Sequence, residues 1–276
     1  MLTLYSLKQN TLKLHNFLDK NDVKLALMHV YNIDSYTDYV LKLHTPIEEK
    51  QEFYAIINRL VKGEPIQYIL GKAYFYDRYF FVNKNVLIPR VETEELVDIV
   101  LKDVKENTGN LLDLGTGSGA IALTLKAHSK LSVFASDISK KALEVAQKND
   151  CENSVTFVHG DLLAPFINKE IAFDYIVANL PYIKREEEVE QKVKDYEPES
   201  ALYNSDPNIF ERLFKEVKML NFPKTGLSIY LEIGTNQDDE VSNLARRYLG
   251  ENVKINVVND MHGKKRFVII KDIYGN

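Results

Sequence analysis

The residues best suited to chemistry are Asn179-Leu180-Pro181-Tyr182, which follow the apolar run Phe173-Asp174-Tyr175-Ile176-Val177-Ala178. Asn179 offers a side-chain carbonyl, Leu180 and Pro181 offer backbone carbonyls, and Tyr182 offers a π-face. Together they can grip a planar amino group, as found on adenine, cytosine, guanine or a carboxamide. An amide nitrogen is a poor nucleophile because its lone pair is delocalised into the carbonyl. Acceptors on its two N–H bonds orient it and favour loss of planarity as it attacks, so positioning supplies much of the catalysis. Asn179, Leu180, Pro181 and Tyr182 are therefore the candidate catalytic and substrate-binding residues.

A second constellation lies upstream, Asp113-Leu114-Gly115-Thr116-Gly117-Ser118-Gly119, a glycine-rich turn from a strand into a helix. Glycine permits positive φ and lets a ligand approach the backbone closely. At an open α/β sheet such turns face the ligand crevice. The pattern alone is weak, and with Ala120 in the third place it passes for a dinucleotide fingerprint. Asp137, at the end of the next strand, can accept from ribose hydroxyls, cap the following helix, or serve a dinucleotide equally well. Asp161 ends the third strand, where it can accept from an adenine amino group with Leu162 against the ring. Asp113 either faces the ligand or holds the turn amides. Acid after three successive strands, with no Arg or Lys placed for a pyrophosphate, suits a nucleoside carrying a positive centre. S-adenosylmethionine fits better than a nicotinamide dinucleotide.

The elements that position these residues can be read from periodicity. Residues 1–72 read as helical. Leu4, Leu7, Leu14, Phe17 and Leu18 form one stripe, and Val23, Ala26, Leu27 and Val30 form another. Thr45-Pro46-Ile47-Glu48 has the form of a capped helix start, with Phe53, Ile56, Ile57 and Leu60 as its apolar face and Gly63 as its stop. Residues 73–90 hold three β-rich runs, 74–76, 79–82 and 86–88, and read as a hairpin linker. A helix begins at Thr93. From residue 110 strands and helices alternate, with a helix expected over 207–220 capped by Asp206, which means a doubly wound, mostly parallel sheet. The last two strands, near 253–258 and 266–271, are too closely linked to be parallel. Glu186-Glu187-Glu188 reads as a solvated helix start.

Composition narrows the function further. The net charge of −5 argues against a general nucleic-acid binder. Residues 1–80 carry nearly equal numbers of basic and acidic side chains, so the helical segment is no nucleic-acid grip either. Cys151 is the only cysteine, which excludes an intrachain disulfide and fits a reducing compartment. The histidines form no close pair and no zinc ligand set, so no metal is expected. The N-terminal residues intersperse apolar side chains with charges and amides, unlike a signal peptide or membrane span. The expected setting is the cytoplasm, away from membranes, and nothing calls for an obligate oligomer, so a monomer is expected.

The chain resembles the protein-(glutamine-N5) methyltransferases of peptide chain release factors, the HemK/PrmC family. Matching segments are Gly63 to Gly71, Val86 to Leu96, the glycine turn, Ser136 to Ser139, Gly160 to Leu163, Asn179 to Ile183, Glu197 to Leu202 and Leu231 to Gly234. The resemblance implies an α/β fold, a seven-stranded Rossmann-like class I methyltransferase domain with a small N-terminal helical bundle and a β-hairpin linker. It implies domains at 1–72 (substrate recognition), 73–90 (linker) and 91–276 (methyl transfer). It implies S-adenosylmethionine as donor, S-adenosylhomocysteine as product, and the glutamine of the Gly-Gly-Gln loop of class 1 release factors as acceptor. Expected cofactor contacts are Asp113, Gly115, Thr116, Gly117, Ser118, Gly119, Asp137, Ile138, Asp161, Leu162 and Asn179.

Two departures stand out. The family's tetrapeptide is Asn-Pro-Pro-Tyr, and Leu180 replaces its first proline, keeping a carbonyl but giving up a fixed φ. The family's Gly-Gly-x-Asp-Gly stretch is replaced by Tyr203-Asn204-Ser205-Asp206-Pro207-Asn208. The rival readings are an amino-methyltransferase acting on a flipped base (adenine N6 or guanine N2), a nicotinamide-dependent oxidoreductase, and an inactive release-factor binder. The second leaves Asn179 to Tyr182 unexplained.

Overall fold

Among the residues that the computed structural model describes (1–104, 107–182, 191–203 and 206–274), five helices come first: α1 Leu4–Leu14, α2 Lys20–Val30, α3 Tyr36–Lys42, α4 Gln51–Val61 and α5 Ile66–Leu70. Strands β1 Lys72–Phe75 and β2 Arg78–Phe81 follow, then α6 Val91–Val104. Alternation begins with β3 Asn110–Leu114, α7 Ala120–His128, β4 Ser132–Asp137, α8 Lys140–Asn149, β5 Thr156–His159 and β6 Tyr175–Asn179. Two short helices, α9 Gln191–Tyr196 and α10 Glu199–Leu202, precede α11 Ile209–Val217. The chain closes with β7 Leu227–Glu232, α12 Asp238–Leu249, β8 Lys254–Asn259 and β9 Lys265–Ile273. There are two compact units, Met1–Lys72 with Glu190–Tyr196, and Ala73–Val189 with Glu197–Asn276. No described helix is long and apolar enough to cross a membrane.

In the first unit, α2 buries Val23, Ala26, Leu27 and Val30, and α4 buries Phe53, Ile56, Ile57 and Leu60. Both faces follow from helical spacing. The first stripe holds for Leu4 and Leu7, and Leu18 packs half-buried against the same core. Because α1 ends at Leu14, Leu14 and Phe17 are exposed. The helix start expected at Thr45 is not there. Thr45 Oγ1 donates to the Lys42 carbonyl, Pro46 pairs with Thr3 in an isolated bridge, and Ile47 N donates to the Leu2 carbonyl. Pairing with the N-terminal segment uses the backbone groups a helix would need, so α4 begins at Gln51, with no side-chain cap.

In the second unit, β1 and β2 form a hairpin around Tyr76 and Asp77, with Tyr76 left-handed at φ 60°. The third β-rich run forms no strand. Val86 N donates to the Asn83 carbonyl in a turn, and Ile88 N donates to Glu197 Oε2 at 3.3 Å. Val86 and Ile88 are apolar because they are buried, not because they pair.

The main sheet has the order β5-β4-β3-β6-β7-β9-β8. The first five strands are parallel, while β9 runs antiparallel to both β7 and β8, the latter as the short final connection requires. Alternate residues feed two cores. Leu112, Ile176 and Ile229 pack with Leu213 and Phe214 of α11 on one face, and Leu111, Val177 and Tyr230 pack with Val97 and Val100 of α6 on the other. The helix expected from 207 starts instead at Ile209, with Asp206 Oδ1 accepting from Asn208 N. The acidic run 186–188 lies outside the described residues, as do Ile183, Asn204 and Ser205.

Asn149, at the end of α8, clips the hairpin to the glycine turn. Its Nδ2 donates to the carbonyls of Phe81 (3.0 Å) and Ser118 (2.9 Å), and its Oδ1 accepts from Phe81 N (2.7 Å). Asn149→Ala leaves those buried and part-buried groups unpaired and is expected to cost about 2–4 kcal/mol, read from denaturant unfolding.

Candidate active site

Parallel pairing brings the carboxyl ends of the strands to one edge. Leu114 lies opposite both Ser136 and Ala178, Asp137 opposite His159, and Asn179 opposite Glu232. The glycine turn crosses this edge. Gly115 and Gly117 take φ of +71° and +56°, which side chains rarely adopt. The amides of Gly115 and Thr116 both donate to the Ser136 carbonyl, and Gly117 N donates to Asp137 Oδ2 at 2.9 Å. The other Asp137 oxygen accepts from Ser139 N at 2.8 Å, while Ser139 itself caps α8. Burial pushes the Asp137 carboxyl up, and these two amides and His159 pull it back.

Above the strand ends is a cavity of ≈ 240 Å³. Its wall includes Gly115, Gly117, Asp137, Ile138, Asp161 and Leu162, together with Asn179, Leu180 and Pro181. Five residues anticipated from the sequence are outside that wall: Asp113, Thr116, Ser118, Gly119 and Tyr182. Asp113 is fully buried, and its Oδ2 accepts from Thr116 Oγ1 (2.7 Å) and Ala122 N (3.2 Å). Of its two readings, the geometry gives the one in which it holds the turn. Burial pushes its carboxyl up to about 7 against these hydrogen bonds. Tyr182 stands against Gly234, where a Cβ would come within 2.8 Å of its ring, and its carbonyl accepts from Gln237 Nε2 at 3.3 Å. Burial raises its phenol, with the nearby Glu232 adding to the rise.

Leu180 is part of the large apolar core, 4% exposed, and a Cβ on Gly115 would lie 3.3 Å from its Cδ2. Its side chain thus braces the glycine turn. Behind Asn179, Thr93 and Glu232 continue a hydrogen-bonded line away from the cavity: Asn179 Nδ2 donates to Thr93 Oγ1, and Thr93 Oγ1 donates to Glu232 Oε2.

Sequence reasoning missed Arg212. From α11 its Nη2 donates to Asp161 Oδ1 at 2.6 Å, and its Nε lies 3.4 Å from Asp206 and 3.8 Å from Glu216. Among the described residues of the wall it is the only cation, and it is held by acids. The surplus of acid at the strand ends was the available signal, since clustered acids favour a nearby cation. Ser200 and Tyr203 also line the cavity, as do Asn85 and Leu87. Glu197 joins these two stretches, because its buried carboxylate accepts from Arg90 Nη2 (2.6 Å) and Ile88 N. Among the described residues no cluster could hold a metal ion.

A seven-stranded sheet of this order, with a glycine turn and an amide-bearing strand end on one cavity, is the Rossmann-like class I methyltransferase architecture. Sequence comparison agrees. The Methyltransferase small domain pattern matches residues 92–196, and the PrmC N-terminal domain pattern matches residues 10–71. The release factor glutamine methyltransferase of Bacillus cereus is 38% identical over 265 residues, covering 92% of this chain and 93% of that protein. The protein of the same name from Thermodesulfovibrio yellowstonii is 39% identical, covering 89% of this chain and 90% of its own length. A solved structure, the release-factor-specific protein-(glutamine-N5) methyltransferase of Alicyclobacillus acidocaldarius, overlays with a TM-score of 0.45 at 23% identity, covering 71% of this chain and 100% of that one. The chain belongs to the release factor glutamine methyltransferase family.

The buried acid of the turn makes stability depend on pH. Asp113 holds its proton up to about 7 when folded, against 3.8 for the free group, so the folded state binds more protons between those values. Its contribution is therefore complete below pH 3.8 and is lost as pH rises towards 7. Asp113→Asn is expected to flatten this fall, a change on the order of a few kcal/mol across the window, in urea unfolding at stepped pH.

Proposed function

We propose that this chain transfers a methyl group from S-adenosylmethionine to the side-chain amide nitrogen of the glutamine in the Gly-Gly-Gln loop of class 1 peptide chain release factors. The carrying observation is the Asn179 amide on the wall of a cavity that begins at the glycine turn, in a chain of this family. The donor set suits the cofactor. Asp137 and Asp161 make the wall acidic, and its one described cation, Arg212, is engaged by Asp161. Such a wall favours a nucleoside with a positive centre over a pyrophosphate.

When bound, S-adenosylmethionine supplies an electrophilic methyl on a sulfonium and departs as S-adenosylhomocysteine. Gly115 and Gly117 let it approach the turn backbone. Asp137 retains lone pairs for the ribose hydroxyls, and Asp161 and Leu162 serve the adenine, beside Ile138. Thr116, Ser118, Gly119 and Asp113 act by shaping the turn. The Asn179 carbonyl and the backbone carbonyls of Leu180 and Pro181 accept the two N–H bonds of the substrate amide. Tyr182, braced by Gly234, closes the glutamine's berth. The nitrogen gains a methyl and gives up one proton, and alignment of the attack does most of the work.

Residues 1–72 serve substrate recognition, 73–90 the linker and 91–276 the transfer. The chain works as a cytoplasmic monomer, without metal, membrane or direct nucleic-acid contact. The deciding assay uses labelled S-adenosylmethionine, a release factor and the same factor with its loop glutamine changed to alanine. Label is expected on the first factor only. Label on both, or on nucleic acid instead, overturns the reading.

Leu180→Pro is expected to preserve transfer, because the carbonyl remains, while removal of the side chain that braces Gly115 lowers stability by about 1–3 kcal/mol. Activity and unfolding midpoints, measured together, separate the two effects.

A further inference from the structure

A side-chain amide can turn either its oxygen or its nitrogen towards a ligand, and only the oxygen accepts an N–H bond. Asn179 therefore needs something to choose its orientation, and the choice is made behind it. Away from the cavity, Asn179 Nδ2 donates to Thr93 Oγ1 at 3.1 Å, and Thr93 Oγ1 donates to Glu232 Oε2 at 2.7 Å. The register of β6 with β7 sets Asn179 directly opposite Glu232, and the first turn of α6 carries Thr93 to both. Thr93 is 5% exposed and Glu232 is 2% exposed, and neither belongs to the cavity wall.

A threonine hydroxyl has one proton to give. An ionised Glu232 can only accept, so it takes that proton, and Thr93 Oγ1 is left to accept from Asn179. The nitrogen of Asn179 is then directed inward and its oxygen outward. Resting on the reading of Asn179 as the substrate's acceptor, we propose that Thr93 and Glu232 are positioning residues that set the polarity of the Asn179 amide, ionised Glu232 holding its oxygen towards the glutamine. A protonated Glu232 reverses the line. Its O–H donates to Thr93, Thr93 donates to Asn179 Oδ1, and Nδ2 faces the cavity as a donor opposed to a donor.

The surroundings place this reversal near neutrality. Burial pushes Glu232 up to about 7, and Glu92 of α6 raises it further. Thr93, Asn179 and Arg266 of β9 favour the ionised form. Tyr182, after β6, faces Glu232 with its own phenol raised, and Arg90 and Arg266 lie within reach of it. Acid is therefore expected to switch off the amide's acceptor while leaving the cavity intact.

The test follows methyl transfer to a release factor from about pH 5 to 9 for wild type, Thr93→Ser, Thr93→Val and Glu232→Gln. Wild type and Thr93→Ser are expected to lose kcat on the acid side with a midpoint near 7. Thr93→Val is expected to lower kcat about tenfold, the worth of one hydrogen bond, and to lose the acid limb. Glu232→Gln is expected to be slow and flat, because a neutral amide commits to neither polarity. Melting curves separate these effects from misfolding, and recovery in Thr93→Ser assigns them to the hydroxyl.

A second measurement does not need activity. With asparagine labelled by ¹⁵N, the Asn179 side-chain amide signal, identified by its loss in Asn179→Asp, is expected to titrate in wild type and not in Glu232→Gln. A wild type that leaves glutamine unmethylated defeats the functional reading, while the amide titration still decides the orientation. A wild type that methylates glutamine but is matched in rate and pH profile by Thr93→Val overturns the inference alone. An Asn179 signal that does not titrate also overturns it.

Discussion

Parallel pairing of β3 with β4 and β6, and of β6 with β7, is the constraint on which the rest depends. Parallel strands run in one direction, so their carboxyl ends emerge on one edge of the sheet. Residues far apart in the chain, Gly115, Asp137 and Asn179, thereby reach a single cavity, and Asp161 joins them because β5 pairs parallel with β4. The reversal of β9 comes after the last of these strand ends, so it closes the sheet without disturbing that edge. A one-residue slip between β6 and β7 would exchange the faces of Ile176 and Val177 and move Asn179 off Glu232. The two apolar cores that secure the register therefore also secure the alignment of the site.

The acids of this edge work on the backbone before they work on any ligand. Asp113 holds Thr116 and Ala122, Asp137 holds Gly117 and Ser139, and Glu197 holds Ile88 along with Arg90. Each of these carboxyl groups takes backbone amides or a hydroxyl as partners, which a polar group needs out of water. The loops around the cavity are thus ordered by hydrogen bonds to acids, of which Asp137 also lines the cavity. Arg212 has the reciprocal role, one cation drawn to Asp161 with Asp206 and Glu216 nearby.

Where local spacing and burial agree, the sequence was legible. The faces of α2 and α4, the strand-helix alternation and the antiparallel closing pair all follow from periodicity and connection length. Where tertiary contacts compete for backbone groups, it was not. Thr45 to Glu48 has the residues of a helix start, yet Pro46 and Ile47 pair with the N-terminal segment. Val86 to Ile88 has the composition of a strand, yet its amides go to a turn and to Glu197. Leu180, met first as a departure from a motif, is a packed core side chain, which no reading of the turn alone would reveal.

By itself, the sequence determined the class of fold, the family, and the residue types gathered at the strand ends, because these depend on periodicity and on short motifs whose chemistry is local. Only the tertiary structure decided which side of the wall each residue occupies. Asp113 lies behind it, Arg212 lies on it, and Thr93 and Glu232 back Asn179. Those assignments rest on register and helix docking, which join residues from Thr93 to Glu232 across the chain. Sequence spacing carries no trace of such contacts, because they are set by how whole elements pack and not by the residues beside them.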